Sequence, residues 1–283
     1  MATKAWRVFF VATHAVLCGC DRNSRPKVGD ADAGDRTRQT VTGPDIVRFD
    51  GFEGDSVAAF WRAGNAGDGR YAPGAIAVSA DCARTGVKSV RITVREGDID
   101  QIGDDGKHTE RAELDSGKHA FVGRDVWYGF AFLIPPSFPV VDNRLVIAQW
   151  KQYGVSGSPL IAERYRNGKH DLTIRLADSS WGWRKSYSLP TIKFGRWNDM
   201  VYHIRFSSGE DGLVDAWMNG SRVVTYKGAT AFKEGEDNIY NKVGLYRDRW
   251  KDPMTIYFDN YTLADSFGAV DPQRFDQQQP GPR

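Results

Sequence analysis

The chain has 283 residues, a formal net charge of +2 and 41% hydrophobic residues. This length allows a sizeable core in one all-β domain, and the mild charge gives no argument for nucleic acid as a partner, although locally concentrated positive charge would still suit an anionic ligand. Aromatic residues make up 12% of the chain, with nine Trp, which fits both stacking on sugars and filling a β-sandwich core.

Residues 1–20 have the composition of a signal peptide of the lipoprotein type. Lys4 and Arg7 precede the apolar run VFFVATHAVLCGC, which is too short to span a membrane comfortably. The segment LCGC resembles a bacterial lipobox, in which Cys20 is the residue that receives the lipid. We therefore expect an exported protein, either periplasmic or a lipoprotein anchored at the outer surface, with plain secretion as the alternative.

The next segment, residues 21–42, is polar, rich in Gly, Asp and Arg and nearly free of large apolar side chains. This composition predicts a flexible linker. We expect the folded domain over residues 43–268, a disordered tail over 269–283, and a monomer. A lipidated Cys20 would leave Cys82 without a disulfide partner, so we expect Cys82 to be a small buried residue.

Short alternating runs fill the chain from Ile46 to about Asp265 and are separated by Gly, Asp, Asn and Pro. The clearest are VKSVRITVR, VWYGFAFLI, RLVIAQW, HDLTIRLA, DMVYHIRF, LVDAWMNGSRVVTY, NKVGLYR and MTIYFDNYTLA. Strands of this length with turn signals at this spacing predict an antiparallel β-sandwich. Asn219 and Gly220 predict a two-residue hairpin turn, because both residues tolerate the positive φ that such a turn needs.

The run YNKVGLYRD at residues 240–248 has two unlike faces, since successive side chains of a strand point to opposite sides. Val243 and Leu245 suit a core. The other face is unusual for a solvated strand, because it carries two tyrosines, a lysine and a glycine: Tyr240, Tyr246, Lys242 and Gly244. This composition raises the question of what that face contacts.

Three further runs divide in the same way. In LVIAQWK the alternation places Ile147, Gln149 and Lys151 on the polar face and Val146 toward the core. In RAELD and DLTIRL the polar face carries charged residues, namely Arg111, Glu113 and Arg175. Each strand alone fits an ordinary solvated face, but the set is rich in donors and aromatics, and neighbouring strands would form a cationic groove for an acidic sugar chain.

RAEL, QWK and YNKVGLY, in this order, resemble the three strand motifs of jelly-roll polysaccharide lyases, which include alginate lyases, glucuronan lyases and heparinase-I-type enzymes. WYGFAFLIPPSFP and WNDMVYHIRFSSGEDGLVDAWMNG are similar to framework strands of the heparinase-I and glucuronan lyase branch. The resemblance covers roughly residues 45–265. It implies an all-β, concanavalin-like jelly-roll sandwich of two antiparallel sheets.

The resemblance also implies a β-elimination, without metal or other cofactor, on a uronic-acid polysaccharide, with glucuronan favoured over alginate and heparin-type chains. Donors must neutralise the sugar carboxylate, a base must take the C5 proton and an acid must protonate the departing O4. Matched position by position, the resemblance assigns Arg111 and Gln149 to neutralisation and Tyr246 to catalysis. It matches Lys242 to the lysine that stands four residues before the catalytic tyrosine, and Tyr240 to a tyrosine that contacts substrate. Glu113 and Arg175 are further candidates for substrate binding.

One departure concerns the base. Many relatives have histidine two residues after the glutamine, where this chain has Lys151, and lysine is a poor base unless it is desolvated. We therefore expect Lys151 to bind the substrate carboxylate. His108, near the strand of Arg111, is an alternative source of an imidazole, unless it is an ordinary surface histidine. Free tyrosine has a pKa of about 10, so a base role for Tyr246 requires nearby positive charge.

Two other functions compete with the lyase. A non-catalytic acidic-polysaccharide-binding domain would keep the groove and lose the base, which Lys151 hints at. A β-sandwich glycoside hydrolase would need two carboxylates about 5 to 9.5 Å apart across the scissile bond. Glu110 and Glu113 do not meet this need, because their positions on the strand place them on opposite faces.

Overall fold

The computed structural model describes residues 46–63, 71–98, 101–102, 106–175 and 184–276. The predicted signal peptide, the lipidation of Cys20 and the linker at 21–42 lie outside these residues and stay predictions. Within the described residues, no helix is long and apolar enough to cross a membrane.

The described chain forms seventeen strands and two short helices. The strands are β1 (Ile46–Asp50), β2 (Arg62–Ala63), β3 (Ile76–Ser79), β4 (Ser89–Val94), β5 (Gln101–Ile102), β6 (His108–Asp115), β7 (His119–Ala120), β8 (Asp125–Leu133), β9 (Leu145–Gln152), β10 (Ile161–Arg166), β11 (Lys169–Arg175), β12 (Arg184–Ser188), β13 (Trp197–Arg205), β14 (Leu213–Met218), β15 (Ser221–Lys227), β16 (Asn238–Asp248) and β17 (Met254–Ala264). The helices are α1 (Phe267–Val270) and α2 (Gln273–Asp276).

The strands form two antiparallel sheets. The eight-stranded sheet has the order β15-β14-β13-β8-β17-β4-β3, and β1 also pairs with β17. The nine-stranded sheet has the order β12-β11-β10-β9-β16-β6-β2, with β5 on β6 and β7 on β16. This arrangement confirms the predicted all-β jelly-roll sandwich. It also places β16 directly between β9 and β6, although long stretches of chain separate these strands.

The core lies between the two sheets and takes the apolar faces that the alternation predicted. Val243 and Leu245 of β16 share one buried cluster with Ala112 and Leu114 of β6. Their strand neighbours of opposite parity therefore lie on the other side of the nine-stranded sheet, which we call its outer face. Burial of one continuous apolar face on each sheet is the main force that holds such a sandwich together.

Strand β9 departs from simple alternation. Ile147 and Ala148 are adjacent in sequence, yet both belong to the core cluster, and the pairing register shifts between β9 and both of its neighbours in this region. The prediction that Ile147 lies on the face of Gln149 is therefore wrong. At a bulge, two adjacent residues of one strand take the place of one. Ile147 and Ala148 therefore both face the core, and the alternation resumes with Gln149 on the outer face.

The predicted hairpin between β14 and β15 is confirmed. Asn219 has φ of 51° and Gly220 has φ of 80°, the two positive values of a two-residue turn that matches the twist of its strands. Met218 and Ser221 pair directly on either side of the turn.

The C-terminal region differs from the expected disordered tail. The described residues of 269–276 belong to α1 and α2 or to the turn between them. Ala269 and Val270 are buried and pack with Trp127 on the outside of the eight-stranded sheet. The ring of Phe275 stacks on Phe49 with centroids 5.7 Å apart. These apolar contacts order a segment whose polar composition suggested disorder.

Candidate active site

The register of β6, β16 and β9 places the predicted site residues in rows across the outer face of the nine-stranded sheet. Tyr246 of β16 lies directly opposite Arg111 of β6. Two rows further along, beyond the pair formed by Gly244 and Glu113, Lys242 lies between Asp115 of β6 and Gln149 of β9. Cross-strand neighbours of this kind have their Cβ atoms about 5 Å apart, so these side chains form one contiguous surface.

Two guanidinium groups lie over the ring of Tyr246. The Cζ atom of Arg111 is 4.3 Å from the ring centroid, and that of Arg144 is 5.4 Å away. Arg144 comes just before β9 and forms an ion pair with Asp248, at the end of β16. Both distances are in the range of cation–π contacts, so positive charge is concentrated around this phenol.

A buried carboxylate connects the two predicted neutralising residues. The amide nitrogen of Gln149 donates to Oε1 of Glu113 at 2.5 Å, and Arg111 approaches Oε2 of Glu113 at 3.9 Å. Glu113 is only 1% exposed, and its Oε2 accepts no hydrogen bond from the described residues. Glu113 is thus placed to orient Gln149, which is itself 6% exposed, and the more accessible Arg111.

The close approach of β16 to β6 explains why residue 244 is a glycine. Its φ is +148°, and a Cβ at this position would lie 2.3 Å from the carbonyl oxygen of Ala112 on β6. Gly244 also pairs with Glu113. The glycine therefore permits the close approach of β16 to β6 beside the Gln149–Glu113 hydrogen bond.

The other end of the motif holds Lys242 and Tyr240 close to Asp115. Lys242 is 4% exposed, and its ammonium lies 5.5 Å from the centroid of the Tyr240 ring. Burial raises the pKa of Asp115, although the Gly117 amide and the charge of Lys242 act against this shift. Burial, with a smaller effect of Asp115, also raises the pKa of Tyr240. Tyr240 therefore stays protonated near neutral pH and can serve as a donor or a stacking surface.

The structure does not bring His108 to this cluster. His108 is the first residue of β6 and is exposed, and it shares its parity with Ala112, which lies in the core, and with Glu110, which is buried. Strand alternation thus places it away from the face that carries Arg111. Lys151, in contrast, lies opposite Tyr240 and is half-buried.

Arg175 is also placed differently from the prediction. Its Nη1 donates to the carbonyl oxygens of Ser156 and Ser158 at 2.9 and 3.1 Å, and its guanidinium lies 4.6 Å from the centroid of the Phe232 ring. Arg175 is 9% exposed. These contacts hold the loop after β9, so Arg175 supports the edge of the site rather than its open surface.

No group of three or more His, Cys, Asp or Glu side chains in the described chain is placed to hold a metal ion. A small, shallow pocket lies elsewhere, on the outside of the eight-stranded sheet, and its lining includes Arg84, Asp199 and Val270. Its main polar groups already satisfy each other, because Arg84 donates to both carboxylate oxygens of Asp199 at 3.0 and 3.1 Å. The chemistry that the sequence predicts is therefore on the outer face of the other sheet.

Comparison with known proteins decides the family. The model of the family described as "Polysaccharide lyase" matches residues 45–262, which is most of the chain. The chain belongs to the polysaccharide lyase family. No curated protein matched the sequence.

Solved structures resemble this lyase over most of its length. A glucuronan lyase from the fungus Trichoderma reesei superimposes with a TM-score of 0.59 at 18% identity, covering 80% of this chain and 98% of that one. The cellulose-induced protein Cip1 gives 0.53 at 16% identity, covering 77% and 97%. An alginate lyase solved with an alginate trisaccharide gives 0.52 at 13% identity, covering 69% and 86%. At these identities the likeness shows the fold alone.

The candidate site contains residues that the sequence motifs did not single out. Asp115 is four residues after Arg111, and Tyr153 is four residues after Gln149. Both would have been found by extending the alternation of side chains along each strand. The ring of Tyr153 lies 4.7 Å from that of Tyr240. Arg144 lies just before β9, outside the alternating pattern of the strand, so periodicity could not have identified it.

Tyr71 is a further residue that pattern reading missed, because it lies in a loop. Its hydroxyl donates to the backbone carbonyl of Glu113 at 2.8 Å. Burial, followed by the charge of Glu113, raises the pKa of Tyr71. Tyr71 therefore stays protonated and braces β6 beside the site.

Proposed function

We propose that this lyase cleaves a uronic-acid-containing polysaccharide by β-elimination, with glucuronan as the favoured substrate and alginate or heparin-type chains behind it. One observation carries the proposal: Tyr246 lies on the same open sheet face as Arg111 and Gln149, with the guanidinium of Arg111 4.3 Å from its ring centroid. These three side chains supply the groups that the reaction requires.

The first requirement is to stabilise charge at the sugar carboxylate. Removal of the C5 proton creates an enolate-like anion, and preorganised donors lower its free energy. Arg111 and Gln149 are held by Glu113, at 3.9 and 2.5 Å, before any substrate arrives. Their remaining N–H groups are therefore available to the carboxylate without further ordering.

The second requirement is proton transfer. In the proposed reaction the Tyr246 oxygen takes the C5 proton and then donates it to O4 as the C4–O4 bond breaks, which leaves a C4–C5 double bond. One group can do both when H5 and O4 lie on the same face of the sugar, as in glucuronate and mannuronate. In guluronate H5 and O4 lie on opposite faces of the ring, so a second group would be needed to protonate O4. With His108 away from the cluster and Lys151 a poor base, a single tyrosine favours glucuronan and polymannuronate over polyguluronate, and the preference for glucuronan over polymannuronate comes from the sequence resemblance.

The test is the ultraviolet absorbance of unsaturated uronate, followed on glucuronan, polymannuronate, polyguluronate, a heparin-type chain and neutral cellulose. We expect the fastest rise on glucuronan, a slower rise on polymannuronate and none on cellulose. Binding to these chains without absorbance would replace the proposal with a non-catalytic acidic-polysaccharide-binding domain. New reducing ends without absorbance would indicate a hydrolase.

A further inference from the structure

A pair of aromatic side chains lies at the end of the site away from Tyr246. The rings of Tyr153 and Tyr240 are 4.7 Å apart and inclined by 56°. Tyr240 is six residues before Tyr246 on β16, which corresponds to roughly 20 Å between Cα atoms at the usual strand rise. This pair is therefore too far along the strand to hold the sugar that Tyr246 would deprotonate.

Positive charge surrounds the aromatic pair. The Lys118 ammonium lies 3.9 Å from the centroid of the Tyr153 ring, and Nη1 of Arg62 donates to the Tyr153 hydroxyl at 3.3 Å. Both Lys118 and Arg62 are exposed. A cation that an aromatic ring already holds in place loses little further conformational entropy when it binds an anion, and this lowers the cost of binding.

The acids near this pair leave an excess of positive charge. Among the described residues, Asp115 is 4% exposed and faces Lys242, and Glu236 lies 3.5 Å from Lys118 with half of its side chain exposed. Lys151, opposite Tyr240, adds another cation. A carboxylate on an incoming ligand thus meets cations that the local acids do not fully balance.

We propose that Tyr153, Tyr240, Lys118 and Arg62 form a distal subsite that binds a carboxylate-bearing sugar of the same chain, several sugar units from the scissile bond. The rings stack on the apolar face of the sugar, and Lys118 and Arg62 take its carboxylate. The proposal rests on the proposed function. It adds that the lyase binds uronate chains that extend along the sheet face well beyond the scissile bond.

The test measures binding without turnover. In a Tyr246→Phe background, the affinity for a glucuronan octasaccharide is measured by calorimetry with and without Lys118→Ala or Tyr153→Ala. We expect each substitution to weaken binding about tenfold, the loss of a little over 1 kcal/mol. An octasaccharide with its carboxyl groups reduced to alcohols should lose the Lys118→Ala effect and keep the Tyr153→Ala effect.

The matched control is Lys227→Ala, which removes an exposed lysine from β15 of the other sheet and should leave the affinity within twofold. In the otherwise unmodified enzyme, Lys118→Ala should raise KM for the polymer and leave kcat within twofold. Equal octasaccharide affinities for Lys118→Ala, Tyr153→Ala and Lys227→Ala, with melting temperatures unchanged, would overturn the subsite. If the wild-type enzyme makes no unsaturated product but Lys118→Ala and Tyr153→Ala still weaken octasaccharide binding, only the proposed lyase substrate is overturned and the subsite stands.

Discussion

At the scale of single residues, the site depends on a phenol, an amide and a guanidinium whose positions are set by neighbours that the substrate does not need to touch. Glu113 accepts the hydrogen bond of Gln149 and attracts Arg111. Gly244 lets β16 approach the backbone of β6 closely beside these residues. Residues that orient a reacting group affect turnover through geometry, whereas Tyr246 would act through its own oxygen.

Substitution of Tyr246→Phe separates these roles, because it keeps the ring and removes the oxygen. General acid–base groups contribute about 10²–10⁴-fold in rate, so we expect kcat on the best polyuronate to fall at least about a hundredfold. Oligosaccharide affinity, measured by calorimetry, should stay near that of the wild type. Turnover within a few-fold of wild type would make Tyr246 a binding surface and move the chemistry elsewhere.

Lys151→His tests the departure from the family pattern. If Lys151 binds substrate and does not take the proton, the histidine variant should keep measurable activity or improve it. The rate of unsaturated product formation on glucuronan is the measurement. Complete loss of turnover, with an unchanged circular dichroism melting curve, would reveal a specific requirement for lysine.

Gly244→Ala should destabilise the fold strongly. The new Cβ would stand 2.3 Å from the Ala112 carbonyl oxygen at a φ of +148°, so both strain and a clash with backbone oppose it. We expect a loss of about 2–4 kcal/mol in the free energy of unfolding in urea. Gly74→Ala is the matched control, since Gly74 also has positive φ, +72°, but open space around it. Equal losses for both variants would contradict the close-approach argument.

At the scale of elements, a buried ion pair fixes β16 to β6 on the side facing the core. Arg247 and Glu110 are both fully buried, with Nη2 of Arg247 2.7 Å from Oε2 of Glu110. Arg247 also donates to the carbonyl oxygens of Trp250 and Asp252 at 2.9 and 2.7 Å. Because Arg247 follows Tyr246 directly, this pair positions the end of β16 and the loop beyond it. Its guanidinium points away from the substrate side of the sheet.

Breaking this pair should be costly. Removal of one partner leaves the other charge buried without compensation, which typically costs about 3–5 kcal/mol. We expect Glu110→Gln to lower the free energy of unfolding in urea by an amount in this range. Glu96→Gln is the exposed counterpart: Glu96 and Arg249 lie 3.5 Å apart with about half of each side chain exposed. That substitution should cost less than about 1 kcal/mol, and similar losses for the two variants would contradict the role of burial.

At the scale of the whole molecule, the two sheets are joined through a buried polar network as well as through the apolar core. Tyr202 of the eight-stranded sheet donates to Glu163 of the nine-stranded sheet at 2.5 Å, and His170 contacts the other oxygen of Glu163 at 2.8 Å. Tyr202 also packs against Trp150, with ring centroids 4.7 Å apart. Trp150 lies between Gln149 and Lys151 on β9, so the packing of the sheets supports the floor of the site.

Global stability should depend on pH through Asp259 of β17. Burial raises the pKa of this carboxyl from 3.8 to about 7, although the amides of Arg84, Thr85 and Asn260 act against the shift. Below about pH 4 the group is protonated in both states; between about 4 and 7 only the unfolded chain ionises, which favours unfolding. The stabilising contribution of Asp259 is thus lost as pH rises through this range.

The measurement is the difference in unfolding free energy between wild type and Asp259→Asn at several pH values, because the other titrating groups cancel in that difference. We expect wild-type stability to fall relative to the variant from about pH 4 to 7 and the difference to be constant above this range. A difference that rises with pH would mean that the three amide donors outweigh burial.

Features that depend on local periodicity could be predicted from the amino-acid sequence. A strand alternates its side chains whatever it pairs with, so the core positions Val243 and Leu245 and the opposite-facing Tyr246 followed from the printed residues. The hairpin at Asn219 and Gly220 followed from the φ values those residues tolerate. The family resemblance of the three strand motifs added the reaction type.

The identity of neighbouring strands and their alignment became known only from the folded chain. The bulge that turns Ile147 to the core, the contact of Arg144 with Tyr246 and the exclusion of His108 all depend on the pairing of distant segments. The same holds for the helices of residues 267–276, which are ordered by apolar contacts with the outside of the sandwich. Pairing and packing between distant segments are set by the burial of the whole chain, and no local pattern of residues encodes them.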